Sequence, residues 1–382
     1  MSVAETAHQP KWVTNTRHGE IHPLRVGLVQ DWALGLQPTQ DYYDAVRLGL
    51  DEAVEDGLLE RPVELEIKEA WGLPNGTAHD VHQAWRELVD SGVLAVIGPS
   101  MSEDSVSLRD TIETLKVPTL TLSATFGFGG EYCFQTPNGT FADETQVGVD
   151  YLRHIGVSSM GLVYDMNFIG EEYGRSALHA ARRRKLTVSS SQMVPSFATH
   201  DMLVDSLGKI RHSGAEALMY VGVGALHLQL ASALAELDWN PPKVTGTSFI
   251  GSIEGFERKQ DFEGWVGVEQ FDERNPVFVK LMDSFERRFG RRPAHGYTAV
   301  GYDQGRLLAE GLANAKPTSP SGVKAGLEMV RMLPAAAGAP GTVMSLAPYD
   351  HRAYKGDYFV LRTIKNGENV LVGSATDFLP RE

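Results

Sequence analysis

A single cysteine, Cys133, stands among 382 residues, which excludes an intramolecular disulfide and any zinc site built on thiolates. With no ordered histidine partner in view, Cys133 reads as a small core hydrophobe and not as a nucleophile. Basic residues are short as well: 35 Lys plus Arg face 49 Asp plus Glu, a formal charge of −14. A general nucleic-acid binder needs a basic footprint, so that class is excluded. Nowhere do 18 apolar residues run together, and no membrane-embedded segment is expected. Residues 1–23, MSVAETAHQPKWVTNTRHGEIHP, lack the apolar core of a secretory leader and read as an N-terminal extension. The expectation is a cytoplasmic chain if Met1 is the natural start, and a periplasmic or cell-surface one if a leader has been removed.

Catalytic motifs are equally scarce. Ser100 lies in Gly-Pro-Ser-Met-Ser, not in a G-x-S-x-G elbow, and no Walker-type loop occurs. Gly222-Val223-Gly224 fills two places of a G-x-G-x-x-G fingerprint, but the third is His227 and no acid follows at the right distance. No dinucleotide, and no other cofactor or metal, is expected; glycines such as Gly222 more simply let backbone approach a ligand. His79 and His82, one helical turn apart without a third ligand, read as a solvated face. Arg182-Arg183-Arg184-Lys185 ends a helix, where cations favour the dipole. The chain is not expected to be an enzyme.

What is present is alternation. Short strand-like runs at 24–29, 63–67 and 93–98 and at VPTLTLS (117–123) are separated by helical patterns at 42–57, 79–92 and 104–116. The series restarts at 142–156 and repeats through strands at 158–165, TVSSSQMV, 216–222 and KVTGTSF. This is an α/β chain of two doubly wound lobes. Two long helices (275–290 and 297–315), a further helix ending near Leu333 and an Asn-Gly hairpin (358–373) complete them. Lobe 1 is expected over 24–136 plus 272–347, and lobe 2 over 137–271 plus 348–382, with a cleft between them that opens and closes.

Two strand ends carry hydroxyls. In IGPSMSEDSVSLRD (97–110), Ser100-Met101-Ser102-Glu103 fits a capping box, with Ser100 at the cap and Glu103 reaching back. The same turn lies beyond the carboxyl end of a strand, where helix N-termini present N–H groups to ligands. Ser102 would offer its hydroxyl and N–H to a carboxylate or amide oxygen. TLTLSATFGFGG (119–130) repeats the theme with Ser123-Ala124-Thr125.

These stretches resemble a known family, the type I periplasmic binding proteins, in the branch of branched-chain amino acid and amide receptors. AVIGPSMS (95–102) is similar to its strand-Gly-Pro-x-x-Ser segment and VPTLTLSAT (117–125) to its strand ending in Ser/Ala-Thr. LVYDMNFIGEEYG (162–174) resembles the second-lobe strand and lid, and GYDQGRLLAEGL (301–312) the Tyr-Asp helix. The likeness runs from about Leu24 to Gly373. It implies two Rossmann-like lobes joined by three crossovers around a small polar ligand. By position, Ser102 and Thr125 would hold a carboxylate or amide oxygen, and Ser123 and Ala124 would make backbone contacts. Phe168 and Tyr220 would close the lid, Tyr297 would approach from its helix, and Trp32 would form an apolar wall. Where the family commonly has a Glu to pair a ligand ammonium, this chain has Thr247, Ser248 and Phe249. That departure points to a carboxylate without the amine, a small amide or an aromatic acid. The function implied is a non-catalytic solute-binding component that serves an ABC permease. The alternative is a cytoplasmic sensor controlling a regulatory protein.

Overall fold

The computed structural model describes residues 22–31, 39–73, 76–137, 139–195, 197–222, 226–247, 259–293 and 297–380. Two sheets organise it. The first has the order β2-β1-β3-β4-β5, from β1 (Leu24–Asp31), β2 (Val63–Ala70), β3 (Val96–Ile97), β4 (Thr119–Thr121) and β5 (Cys133–Gln135), all parallel. Strand β1 is covered on both faces, and its run LRVGLVQD is almost wholly buried, as a central parallel strand requires. Helices α1 (Thr39–Glu55), α2 (Ala78–Asp90) and α3 (Ser102–Leu115) connect these strands. In α2 the apolar positions Val81, Ala84, Trp85 and Leu88 share one face, and all are buried. Trp85 also gives its indole N–H to Thr119 Oγ1 at 3.1 Å.

The second sheet has seven strands in the order β15-β14-β10-β9-β8-β6-β7. Strands β6 (Ser159–Asp165), β7 (Thr187–Val194), β8 (Ala217–Val221), β9 (Lys243–Thr245) and β10 (Trp265–Glu269) are parallel. The hairpin β14 (Val360–Lys365) and β15 (Glu368–Ser374) adds antiparallel at the β10 edge. Its turn is Asn366-Gly367, both at positive φ (53° and 76°), the twist that a two-residue hairpin favours. Helices α4 (Phe141–His154), α5 (Phe168–Arg183), α6 (His200–His212) and α7 (His227–Glu236) belong to this lobe.

The chain passes from the first sheet to the second between β5 and α4. It returns between β10 and α8 (Pro276–Phe289), and passes again from β13 (Tyr354–Lys355) to β14. These are the three crossovers. Between the last two lie α9 (Tyr297–Asn314), α10 (Pro320–Leu327) and a small sheet, β11-β12-β13, from Leu333–Pro334, Val343–Met344 and Tyr354–Lys355. That third sheet was not expected from the sequence; its strands are too short to show a period. Tyr354, at its end, packs into the core of the first lobe.

Helices α1 and α9 meet backbone to backbone. A Cβ added at Gly305 would stand 2.3 Å from the Val46 carbonyl oxygen, and one at Gly49 would stand 2.6 Å from that of Tyr302. Neither neighbour is a flexible side chain, so the helices themselves would have to part. Gly305→Ala is therefore expected to lose about 3 kcal/mol despite the better helix propensity of alanine. Urea denaturation checks this, and an unchanged midpoint would refute it.

Candidate functional site

Both parallel series reverse direction at one point, between β1 and β3 in lobe 1 and between β6 and β8 in lobe 2. Ligands of open α/β sheets bind in the crevice beyond the carboxyl ends of the strands at such switch points. In lobe 1 this places Asp31 and the Gly98–Met101 turn at the crevice; in lobe 2 it places Asp165 and Gly222 there. Gly98 is required by its backbone: φ is 91°, and an added Cβ would lie 2.6 Å from the Val29 carbonyl oxygen.

The capping box expected at Ser100 does not form. The residue before α3 is Met101, and its side chain makes no cap bond. Ser100 instead turns to Asp31, whose carboxylate accepts the Ser100 N–H at 2.8 Å, the Ser100 hydroxyl at 2.9 Å and the Met101 N–H at 3.1 Å. Glu103, in place of reaching back, lies against the N–H groups of Phe168 and Ile169 at the start of α5, in the other lobe. A tertiary carboxylate has outcompeted the local one. Burial raises the Asp31 carboxyl to about 6, with the Ser100 and Met101 bonds opposing it.

Ser102 is buried, and its hydroxyl oxygen accepts the Ala124 N–H at 3.1 Å, so the two hydroxyl-bearing strand ends touch. Ser123, one residue before Ala124, is wholly buried with a hydroxyl that has no hydrogen-bond partner among the described residues. Thr125 is turned across the lobes: its hydroxyl donates to Glu172 Oε2 on α5 at 2.5 Å and accepts the Gly127 N–H at 3.0 Å. Gln135 fixes this loop by donating to the carbonyls of Ser123 and Thr125, both at 2.8 Å.

In lobe 2, Tyr220 is fully buried and donates its hydroxyl to Asp165 Oδ1 at 2.9 Å, so it supports the strand end and does not form a lid surface. Gly222 sits directly on that carboxylate; a Cβ there would lie 2.3 Å from Asp165 Oδ2. Phe168 is 43 % exposed at the start of α5. Tyr297, the first residue of α9, hydrogen-bonds Thr247 and feels the Glu269 and Glu144 carboxylates, and burial holds its phenol above the ordinary range. Trp32 and Ser248 lie outside the described residues.

Sequence reading missed the acids beneath these loops. Glu144 on α4 accepts the Tyr173 hydroxyl at 2.7 Å and the Thr247 N–H at 2.9 Å, and burial raises it to about 7. A carboxylate thus does reach the end of β9, from a helix about a hundred residues earlier in the chain. Asp104 on α3 is wholly buried; one oxygen accepts the Leu73 N–H at 3.0 Å and the other has no partner among the described residues. Burial, with Asp31 nearby, pushes its carboxyl to about 8. The one local signal was an acid closing the apolar run of β1. Elsewhere, Cys133 is buried, and His82 bonds Ser107 on the helix surface. Among the described residues no cluster of His, Cys, Asp and Glu could hold a metal ion, and no helix is long and apolar enough to cross a membrane.

A search of curated protein sequences found no match. Among solved structures, an ABC transporter substrate-binding protein from Desulfitobacterium hafniense in complex with Leu is similar at 18 % identity, with a TM-score of 0.78 over 92 % of this chain and 100 % of that one. The branched-chain amino acid transporter substrate-binding protein LivJ from Streptococcus pneumoniae, in complex with isoleucine, gives 16 % identity, a TM-score of 0.77 and coverage of 92 % and 100 %. A fatty acid ABC transporter substrate-binding protein from Thermomonospora curvata gives 16 %, 0.76, and 92 % and 91 %. At these identities the likeness speaks for the fold. The family model described as "Periplasmic binding protein" matches residues 24–368. The chain belongs to the periplasmic binding protein family, whose members hold solutes and do not transform them.

Proposed function

We propose that this protein is the solute-binding component of an ABC importer, closing its two lobes on a small polar molecule and presenting the closed form to a permease. The observation that carries the reading is the meeting of the lobes at the switch points. Ser102, Ala124 and the unpartnered hydroxyl of Ser123 lie on one side, and α5 lies on the other, joined to lobe 1 through Thr125–Glu172 and Glu103. The importer role is supported by the solved structures named above, which are substrate-binding proteins of ABC transporters. Closure is a population shift, so a solute that prefers the closed form stabilises it by mass action.

The test is a thermal-shift screen of small carboxylates, amides, amino acids and amines on the wild type and on Ser102→Ala combined with Ser123→Ala. Removing the orphan Ser123 hydroxyl leaves the unliganded protein as stable or more so, because a buried unpaired polar group is itself a cost. Solutes that stabilise the wild type are expected to lose most of their effect in the double variant. An undiminished effect would overturn this site, and a silent screen would overturn the function. Permease and ATPase genes beside this one support transport; a regulatory gene there supports the sensor.

A further inference from the structure

The two crevices that should receive the solute each end in a buried aspartate, Asp31 in lobe 1 and Asp165 in lobe 2. The start of α3 is where an incoming anion would be welcomed, by free N–H groups and the positive end of the helix dipole. Here the protein has already supplied the anion. Asp31 takes the N–H groups of Ser100 and Met101 and the Ser100 hydroxyl, and it is tethered there by its own strand. The facing helix start, α5, is similarly served: Asn167 Oδ1 accepts the Gly170 N–H at 2.7 Å, and the Glu103 carboxylate lies on Phe168 and Ile169.

Further acids crowd the same corner. Asp104 stands two residues into α3, close enough to Asp31 to be affected by its charge, and Glu172 faces Thr125. Among the described residues no lysine or arginine forms an ion pair with Asp31, Glu103, Asp104 or Glu172. Arg352 feels Glu172, though less than it feels Asp143 and Asp350. Its guanidinium lies 4.0 Å over the Phe126 ring and bonds Gln135 Oε1 at 3.3 Å. A carboxylate entering this corner would meet like charge in a poorly screened place; a protonated amine would meet acceptors. One fully buried atom there has no partner among the described residues: Ser123 Oγ, beside the Ala124–Ser102 bond. An ammonium or amide N–H group supplies a donor that this hydroxyl oxygen can accept.

We propose that the solute carries an amine and no free carboxylate, because the protein's own carboxylates already take the N–H groups of Ser100 and Met101 and the Thr125 hydroxyl. This rests on the solute-binding reading above and narrows its ligand class. The test is a set of compounds with one skeleton and different charge: leucinamide, 3-methylbutylamine, leucine and 4-methylpentanoate, with the corresponding phenylalanine set. Leucinamide or the amine, or their phenyl counterparts, should raise the melting temperature by about 5 °C at roughly a hundredfold excess over Kd. The free acids should leave it unchanged, and the amino acid should bind at least about tenfold more weakly than its amide by calorimetric titration. Asp31→Asn should narrow that gap; should this variant not fold, the wild-type comparison decides alone.

An amino acid or free acid that binds as tightly as the amide, and loses its effect in the Ser102→Ala/Ser123→Ala protein, would overturn the charge inference and leave the binding function standing. No response to any amine or amide would overturn it too. Only silence across solutes of every charge would remove the binding function itself.

Discussion

Asp104→Asn is expected to stabilise the protein, and to stabilise it more as the pH rises. Asp104 is wholly buried, its carboxyl is raised from an ordinary 3.8 to about 8, and one oxygen lacks a partner. Between those two values the unfolded chain has lost the proton and the folded chain keeps it. Folding therefore takes up a proton, and stability falls as the pH climbs from about 4 to about 8, then levels off. The upper bound on this cost is about 6 kcal/mol at roughly 1.4 kcal/mol per pKa unit, and relaxation around the ionised group reduces it to about 3 kcal/mol. Asparagine keeps an oxygen for the Leu73 N–H and never ionises. The melting temperature of the variant should exceed that of the wild type by about 5 °C at pH 8 and by under about 2 °C at pH 5. A shift of equal size at both pH values, or a loss at pH 8, would show that Asp104 is not the source.

Regular elements were legible because burial imposes a period on them. The helical pattern at 79–92 marked α2, whose face Val81, Trp85 and Leu88 is buried, and Asn366-Gly367 marked the hairpin. The strands of the third sheet are two residues each, and no period shows in two residues. For the candidate site, what could be read was local: hydroxyls following strands, and the order of four motifs. The acids under those loops could not be read, because their partners are distant in the chain. Asp31 and Ser100 are 69 positions apart, and Glu144 and Thr247 are 103 apart. The capping box failed for the same reason. The local contest between Ser100 and Glu103 looked settled until a remote strand brought a second carboxylate to the same N–H groups.

The Tyr-Asp helix shows a motif whose role is structural, and it gives the largest loss we expect. Asp303 is wholly buried and accepts the N–H groups of Ala336 and Ala337 at 2.8 and 2.9 Å and the Tyr354 hydroxyl at 3.1 Å. Arg306 stands 3.6 Å away. Asn275 serves the opposite side of the same segment, donating to the carbonyls of Ala335, Ala336 and Gly338 at 3.0 to 3.3 Å. Together with backbone bonds from Ala335 to Thr342 and from Gly338 to Gln270, these two side chains satisfy a buried loop, as every buried backbone group requires. Asp303→Ala would strand two N–H groups and a phenol without acceptors, and would leave Arg306 without its carboxylate. The expected loss is about 4 kcal/mol by urea denaturation. Asp303→Asn keeps one acceptor oxygen and should lose about half as much. Hydrogen exchange should quicken first at Ala336 and Ala337, and the effect should reach the third crossover, because Tyr354 stands six residues before β14. If Asp303→Ala stays within about 1 kcal/mol of the wild type, or if the asparagine variant is no milder, then the loop is held by its apolar packing and not by this carboxylate.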